Sequence, residues 1–192
     1  FGVHKAGPVA ADTTWFGSDE TNFQVFAVRD EEESPNVRFV LTSSTGGYIP
    51  RLESDLYEDV YDNTRWNLAV RVRPEKYPYE NLAVVTPTPN YIVELHGTNV
   101  QDGVVLNTFT VSGTIATPPS EFIAGSRRLF VGAHRQNFTG SILRRSDVKV
   151  GNARHWLTYL NDAVLLQHTH DIFNYGTYNP HWYAFPFQPS AS

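Results

Sequence analysis

The residues best suited to chemistry lie in one acidic stretch, Glu53-Ser54-Asp55-Leu56-Tyr57-Glu58, followed by Asp59, Asp62 and Asn63. Carboxylates and amide carbonyls are hard oxygen donors, the kind calcium takes. Asp55, Glu58, Asp59 and Asp62 are therefore the calcium candidates, although no ordered loop motif of the EF-hand type frames them. On an extended strand successive side chains alternate, so Glu53 and Asp55 would share a face. Glu58 joins that face only if a bulge adds one residue. The histidines offer less. His168 and His170 are separated by one residue, which on a helix sets them roughly 200° apart, too far to share a metal easily. Both suit the negative end of a helix instead. His155, beside Trp156, reads as trim on a strand. No Gly-x-Ser-x-Gly elbow, Walker loop or dinucleotide fingerprint is present. The sequence contains no cysteine, which excludes disulfides and Cys-based zinc sites. No cofactor is expected beyond the calcium these acids allow, and no catalytic or ligand-binding residue is assigned.

The elements that must position these residues are mostly strands. Trp66, Leu68, Val70 and Val72 alternate with Asn67, Arg71 and Arg73, the clearest period-two pattern in the chain. The residues from Asn22 to Val28, Val37 to Leu41, Tyr91 to His96, Val105 to Val111, Leu129 to Ala133 and Asp147 to Val150 read as further strands. Turn formers separate them, among them Gln101-Asp102-Gly103 and Thr117-Pro118-Pro119-Ser120. A single helix is expected from about Ala163 to His170, capped by Asn161 or Asp162. Trp66 and Trp156 are expected between the two sheets of a sandwich, with Leu68, Val70, Phe39 and Val131 nearby. Many short strands and one late helix predict an all-β, two-sheet antiparallel sandwich.

Composition narrows the partners. With 192 residues, 41% of them hydrophobic, the chain can bury one sizeable core. Net charge is −5, which leaves no broad basic field for nucleic acid. No apolar run reaches the roughly 18 residues a membrane span needs, so no membrane insertion is expected. The run Arg29-Asp30-Glu31-Glu32-Glu33 reads as a solvated loop tip. Methionine is absent even at position 1, which reads as a segment of a longer protein. Three regions follow. Residues 1–21 form an N-terminal arm or linker, 22–172 the sandwich, and 173–192 an aromatic, proline-rich C-terminal arm. In that last region Tyr175, Tyr178, Trp182, Tyr183, Phe185 and Phe187 are interrupted by Pro180, Pro186 and Pro189. Such a segment cannot be a central strand, and its aromatics suit a partner surface.

Several segments carry a resemblance: Arg65-Trp66-Asn67-Leu68-Ala69-Val70-Arg71-Val72, Tyr91-Ile92-Val93-Glu94-Leu95-His96-Gly97, Leu129-Phe130-Val131-Gly132, and Leu160-Asn161-Asp162-Ala163. Their order and hydrophobic spacing resemble the concanavalin A-like superfamily, in particular its laminin-G-like jelly-roll domains, over roughly Phe23 to Asp171. The resemblance implies a jelly-roll topology. It also implies a domain of the sort found as a module in viral and phage structural proteins, placed outside the cell or on a virion surface. Laminarinase-type glucanases of that superfamily carry Glu-x-Asp-x-x-Glu on a strand, so the resemblance offers Glu53, Asp55 and Glu58 as a hydrolytic set. Retention in such enzymes needs two carboxyls about 5–5.5 Å apart. This chain departs from the pattern with the polar Ser54, the continuing acids Asp59 and Asp62, and no sugar platform rich in tryptophan.

The expected function is a non-catalytic recognition or structural module of a larger assembly such as a viral or phage appendage. Its partners would be other domains or subunits of that assembly, or a surface glycan. The alternatives are a stand-alone carbohydrate-binding, lectin-like domain and a glucan hydrolase using Glu53, Asp55 and Glu58.

Overall fold

The computed structural model describes residues 2–5, 21–43, 49–75, 90–115, 127–135, 142–145, 148–156, 158–171 and 173. They are mostly β, every strand pair is antiparallel, and one short helix follows near the C-terminus. The strands are β1 (Gly2–Lys5), β2 (Thr21–Arg29), β3 (Val37–Thr42), β4 (Leu52–Glu53), β5 (Trp66–Pro74), β6 (Tyr91–Gln101), β7 (Val104–Ile115), β8 (Arg127–Phe130), β9 (Ala133–Arg135) and β10 (Ile142–Arg145). The helix is α1 (Asp162–His170). A five-stranded sheet runs β4-β3-β2-β1-β8, a three-stranded sheet runs β5-β6-β7, and β10 pairs with β9.

The two larger sheets meet through one core. Val25, Val37, Phe39, Leu41, Ile49 and Leu52 on the five-stranded side pack with Val93, Leu95 and Ile115 of the three-stranded side. One end of this core is aromatic. The Phe39 ring lies 4.8 Å from Trp66, 5.6 Å from Phe109 and 6.3 Å from Tyr57. Offset and tilted rings at such separations add to the burial they already provide. Trp66 thus reaches the core, as its place in the alternating pattern predicted. Leu68 shares that pattern yet is 38% exposed.

The β6–β7 hairpin turns on Asp102 and Gly103, whose φ angles are both positive, 51° and 79°. This is the two-residue turn whose twist matches paired strands, and its Asp-Gly pair was visible in the sequence. The helix cap was visible too. The Asn161 side chain accepts a hydrogen bond from the Val164 N–H at 3.0 Å, and His168 and His170 lie in the last turn.

Helix α1 covers the face of the three-stranded sheet that points away from the main core. Leu160, Val164 and Leu165 pack there with Ala69 of β5 and with Trp156. Strand β6 is therefore buried on both faces, and residues 93–100 are all buried.

Three expectations are corrected. Residues 148–150 are not in a strand, and Val148 and Val150 are exposed because no neighbouring ladder takes them up. His155 and Trp156 lie in irregular chain, and Trp156 packs under α1, its ring stacked 5.4 Å from His168, rather than between the sheets. Residues 2–5, read as arm or linker, form β1 between β2 and β8. The aromatic set Tyr175, Tyr178, Trp182, Tyr183, Phe185 and Phe187 lies outside the described residues.

One cross-strand contact tests the packing of the aromatic end. Gly97 of β6 pairs with Phe109 of β7, and a Cβ on Gly97 would come within 2.6 Å of the Phe109 ring carbon Cζ. That ring is held on its other side by Phe39 and Tyr57, so it cannot simply swing away. Gly97→Ala is expected to cost about 1–3 kcal/mol, the range for overpacking a core. Adding Phe109→Leu should restore part of that loss. Urea denaturation of the two single variants and the double variant reads this directly, and strictly additive losses would refute the contact.

Candidate functional site

The acidic stretch is built as an edge and a turn. Strand β4 ends at Glu53, and Ser54, 3% exposed, takes over the pairing with β3. Its N–H donates to the Phe39 carbonyl at 2.9 Å, its hydroxyl oxygen accepts from the Phe39 N–H at 2.9 Å, and its O–H donates to the Asp55 carbonyl at 2.7 Å. The polar residue that interrupts the glucanase-like pattern thus closes a backbone ladder. Glu53 is engaged by arginines, with Arg51 Nη2 at 2.8 Å and Arg38 Nε at 3.8 Å from its carboxylate oxygens. Beyond it the chain turns. Asp59 and Asn63 adopt left-handed φ angles of 54° and 58°, which Asp and Asn tolerate better than most residues. The Asp59 and Tyr61 N–H groups bond to Asn36 and Pro35, fastening the turn to the β2–β3 connection. Asp55, Glu58, Asp59 and Asp62 are exposed. Among the described residues no group of three or more His, Asp or Glu is arranged to hold a metal ion.

The strongest concentration of charge lies elsewhere, under α1. Arg71 of β5 and Glu94 of β6 are directly opposite in the ladder. Their side chains are 5% and 7% exposed, with Arg71 Nη2 at 2.8 Å from Glu94 Oε2. Arg73 Nε donates to Glu94 Oε1 at 2.9 Å, and the Tyr159 hydroxyl donates to Glu94 Oε2 at 2.9 Å. Arg71 Nη1 also donates to the Leu160 carbonyl at 3.0 Å and to Asp162 Oδ1 at 2.6 Å. Its guanidinium carbon stands 5.0 Å from the centre of the Tyr159 ring. Two guanidiniums meet two carboxylates, so the charges balance. The bond to Asp162 ties the sheet to the first turn of α1. Burial raises the Tyr159 phenol above its ordinary range, opposed by Arg71 and reinforced by the bond to Glu94.

Beside this network His96 is held at both ring nitrogens. Nδ1 is 2.8 Å from the Thr110 hydroxyl and Nε2 is 2.9 Å from the Thr98 hydroxyl. A neutral imidazole has one donor and one acceptor, and each hydroxyl can serve as either. Burial, with the Arg71 charge second, lowers the His96 pKa and favours that neutral form. Both nitrogens end on hydroxyls, so no carboxylate orients the ring as a general base in the manner of a triad. A half-open cleft of about 380 Å³ lies over this face, lined by His96, Thr98, Val105, Thr108, Thr110, Asp162 and Leu166, among others.

The sequence singled out the acidic stretch and passed over Arg71, Arg73, Glu94, His96, Tyr159 and Asp162 as site residues. The signal was present in a weak form. Arginines two apart on β5 and Glu94 and His96 two apart on β6 place four titratable side chains on one face. Only the cross-strand register, and a helix arriving from far along the chain, shows that this face is buried.

The buried imidazole makes stability depend on pH in a defined direction. A His whose folded pKa lies below its unfolded value, 6.5, binds fewer protons when folded. Its contribution is intact above about pH 6.5 and is lost as pH falls toward the folded value. The stability of the wild type relative to His96→Gln should therefore shrink between pH 7.5 and pH 5, by denaturant titration at each pH. A difference independent of pH would refute the buried neutral imidazole. No protein-family model matches this chain, and no curated protein or solved structure is significantly similar to it.

Proposed function

We propose that this chain is a non-catalytic recognition and structural module of a larger assembly, built as a jelly-roll sandwich of the concanavalin A-like, laminin-G-like kind. The observation that supports the reading is how the titratable side chains are used. Arg71 and Glu94 are buried against each other, with Arg71 also bonded to Asp162 of α1, and His96 is held within the sheet between Thr98 and Thr110. Glu53, the first member of the hydrolytic set offered by the resemblance, is exposed and flanked by Arg51 and Arg38. Partners of the module are then other subunits or domains of its assembly, outside the cell or on a virion surface, with a viral or phage appendage as the setting.

A second reading, a lectin-like glycan-binding domain, is favoured by the cleft beside α1. Its lining combines the exposed Thr108 and Thr110 with the apolar Val105 and Leu166. That mixture suits a neutral, hydroxyl-rich ligand. Two measurements on one preparation separate the readings. The module reading expects no reducing sugar released from β-glucans and no saturable binding on a glycan array. Saturable glycan binding lost in Thr108→Val would establish the lectin reading. Glucan hydrolysis lost in Glu53→Gln would overturn both.

A further inference from the structure

Strand β7 stands at one edge of the three-stranded sheet. Its inner side pairs with β6 from Ile115, opposite Tyr91, to Val104, opposite Gln101. Among the described residues no strand pairs with its outer side. Alternate N–H and C=O groups along it therefore point away from the sheet. Natural edge strands are guarded by charged side chains, proline, bulges or short length, because an open edge templates further pairing. The opposite edge strand, β5, is interrupted at its end by Pro74 and carries the partly exposed Arg73. β7 has neither. Its 12 residues, VVLNTFTVSGTI, contain no charge and no proline. A bulge lies at its hairpin end, where Leu106 is the extra residue between the pairs Asn99–Asn107 and Val100–Val105, and residues 107–115 stay in regular register. Much of the strand is exposed, with Val104 at 60% and Leu106 at 52%.

We propose that the outer edge of β7 pairs antiparallel with β7 of a second copy of this chain, merging two three-stranded sheets across a two-fold axis. Charge favours a copy here. The chain carries a net charge of −5, so two copies repel overall. Along this edge the strand itself is uncharged and the one carboxylate of β6, Glu94, is buried against Arg71 and Arg73, with Asp102 the exposed acid in the turn at its end. The sequence is also self-complementary. A two-fold centred on Val111 sets Thr108 opposite Thr114 of the second copy, and Thr110 opposite Ser112 of the second copy. Hydroxyl-bearing pairs of this kind favour strand pairing, and like charges, which oppose it, are absent. The interface is isologous, so it closes at two copies and does not propagate. The proposal rests on the sheet alone and is independent of the recognition reading.

The test is sedimentation velocity over a concentration series, with amide hydrogen exchange on the same samples. A dimer that dissociates on dilution is expected, with the outward amides of β7 protected at high concentration and exchanging freely when dilute. Ser112 is exposed on the face away from the core. Ser112→Lys places like charges beside the axis and should weaken dimerisation at least about tenfold. The monomer's circular dichroism and melting should be unchanged, and Thr114→Lys serves if Ser112→Lys does not fold. A chain that stays monomeric at about 1 mM overturns the proposal. So does a dimer whose outward β7 amides exchange freely. Protection that persists unchanged in the dilute monomer also overturns it, because the edge would then be covered from within the chain.

Discussion

The constraint on which the rest of this structure depends is the burial of a carboxylate, Glu94, in the middle of a strand covered on both faces. A lone ion in such a place costs several kcal/mol, so partners must be assembled around it. The ladder supplies Arg71 directly opposite, and Arg73 reaches the second carboxylate oxygen. Tyr159 adds a hydroxyl from the segment that precedes α1. Arg71 Nη1 then donates to the Leu160 carbonyl and to Asp162 at the start of the helix, while its Nε is buried without a partner. Neutralising this one side chain orients Tyr159 and ties the first turn of α1 to the sheet, alongside the apolar packing of Leu160, Val164 and Leu165.

This arrangement explains which parts of the fold were legible in the sequence. The alternation around Trp66 reports a face that meets the core, and alternation is local. The Asp102-Gly103 turn and the Asn161 cap are local too, each being a matter of a few dihedrals and one or two hydrogen bonds. The other face of β5 and β6 carries polar residues that alternate with apolar ones, a pattern that ordinarily faces water. What overturns that reading is non-local. Arg71 finds its helix partners 89 and 91 residues further along the chain. No pattern within β5 announces that a helix will settle there.

The acidic stretch misleads for a complementary reason. Glu53, Asp55 and Glu58 have the types that catalysis or calcium would use, but type does not fix geometry. A short strand ending at Glu53, a buried serine closing the ladder and a turn with two left-handed residues disperse those acids over an exposed edge. The titratable groups that the fold does gather are built into its own architecture. Of the expected site, the residue types were visible in the sequence, while their placement was not.

The central claim is that the Arg71–Glu94 pair is structural, each charge tolerated only because the other is present. A double-mutant cycle on Arg71→Met and Glu94→Leu measures this most directly. Each single variant leaves a buried charge without its main partner and is predicted to lose about 3–5 kcal/mol. The double variant removes both charges in favour of apolar side chains of comparable size. Arg73 and Asp162, 27% and 70% exposed in their side chains, remain free to solvate. The double variant is predicted to fall within about 1–2 kcal/mol of the wild type. Losses that simply add would contradict the account.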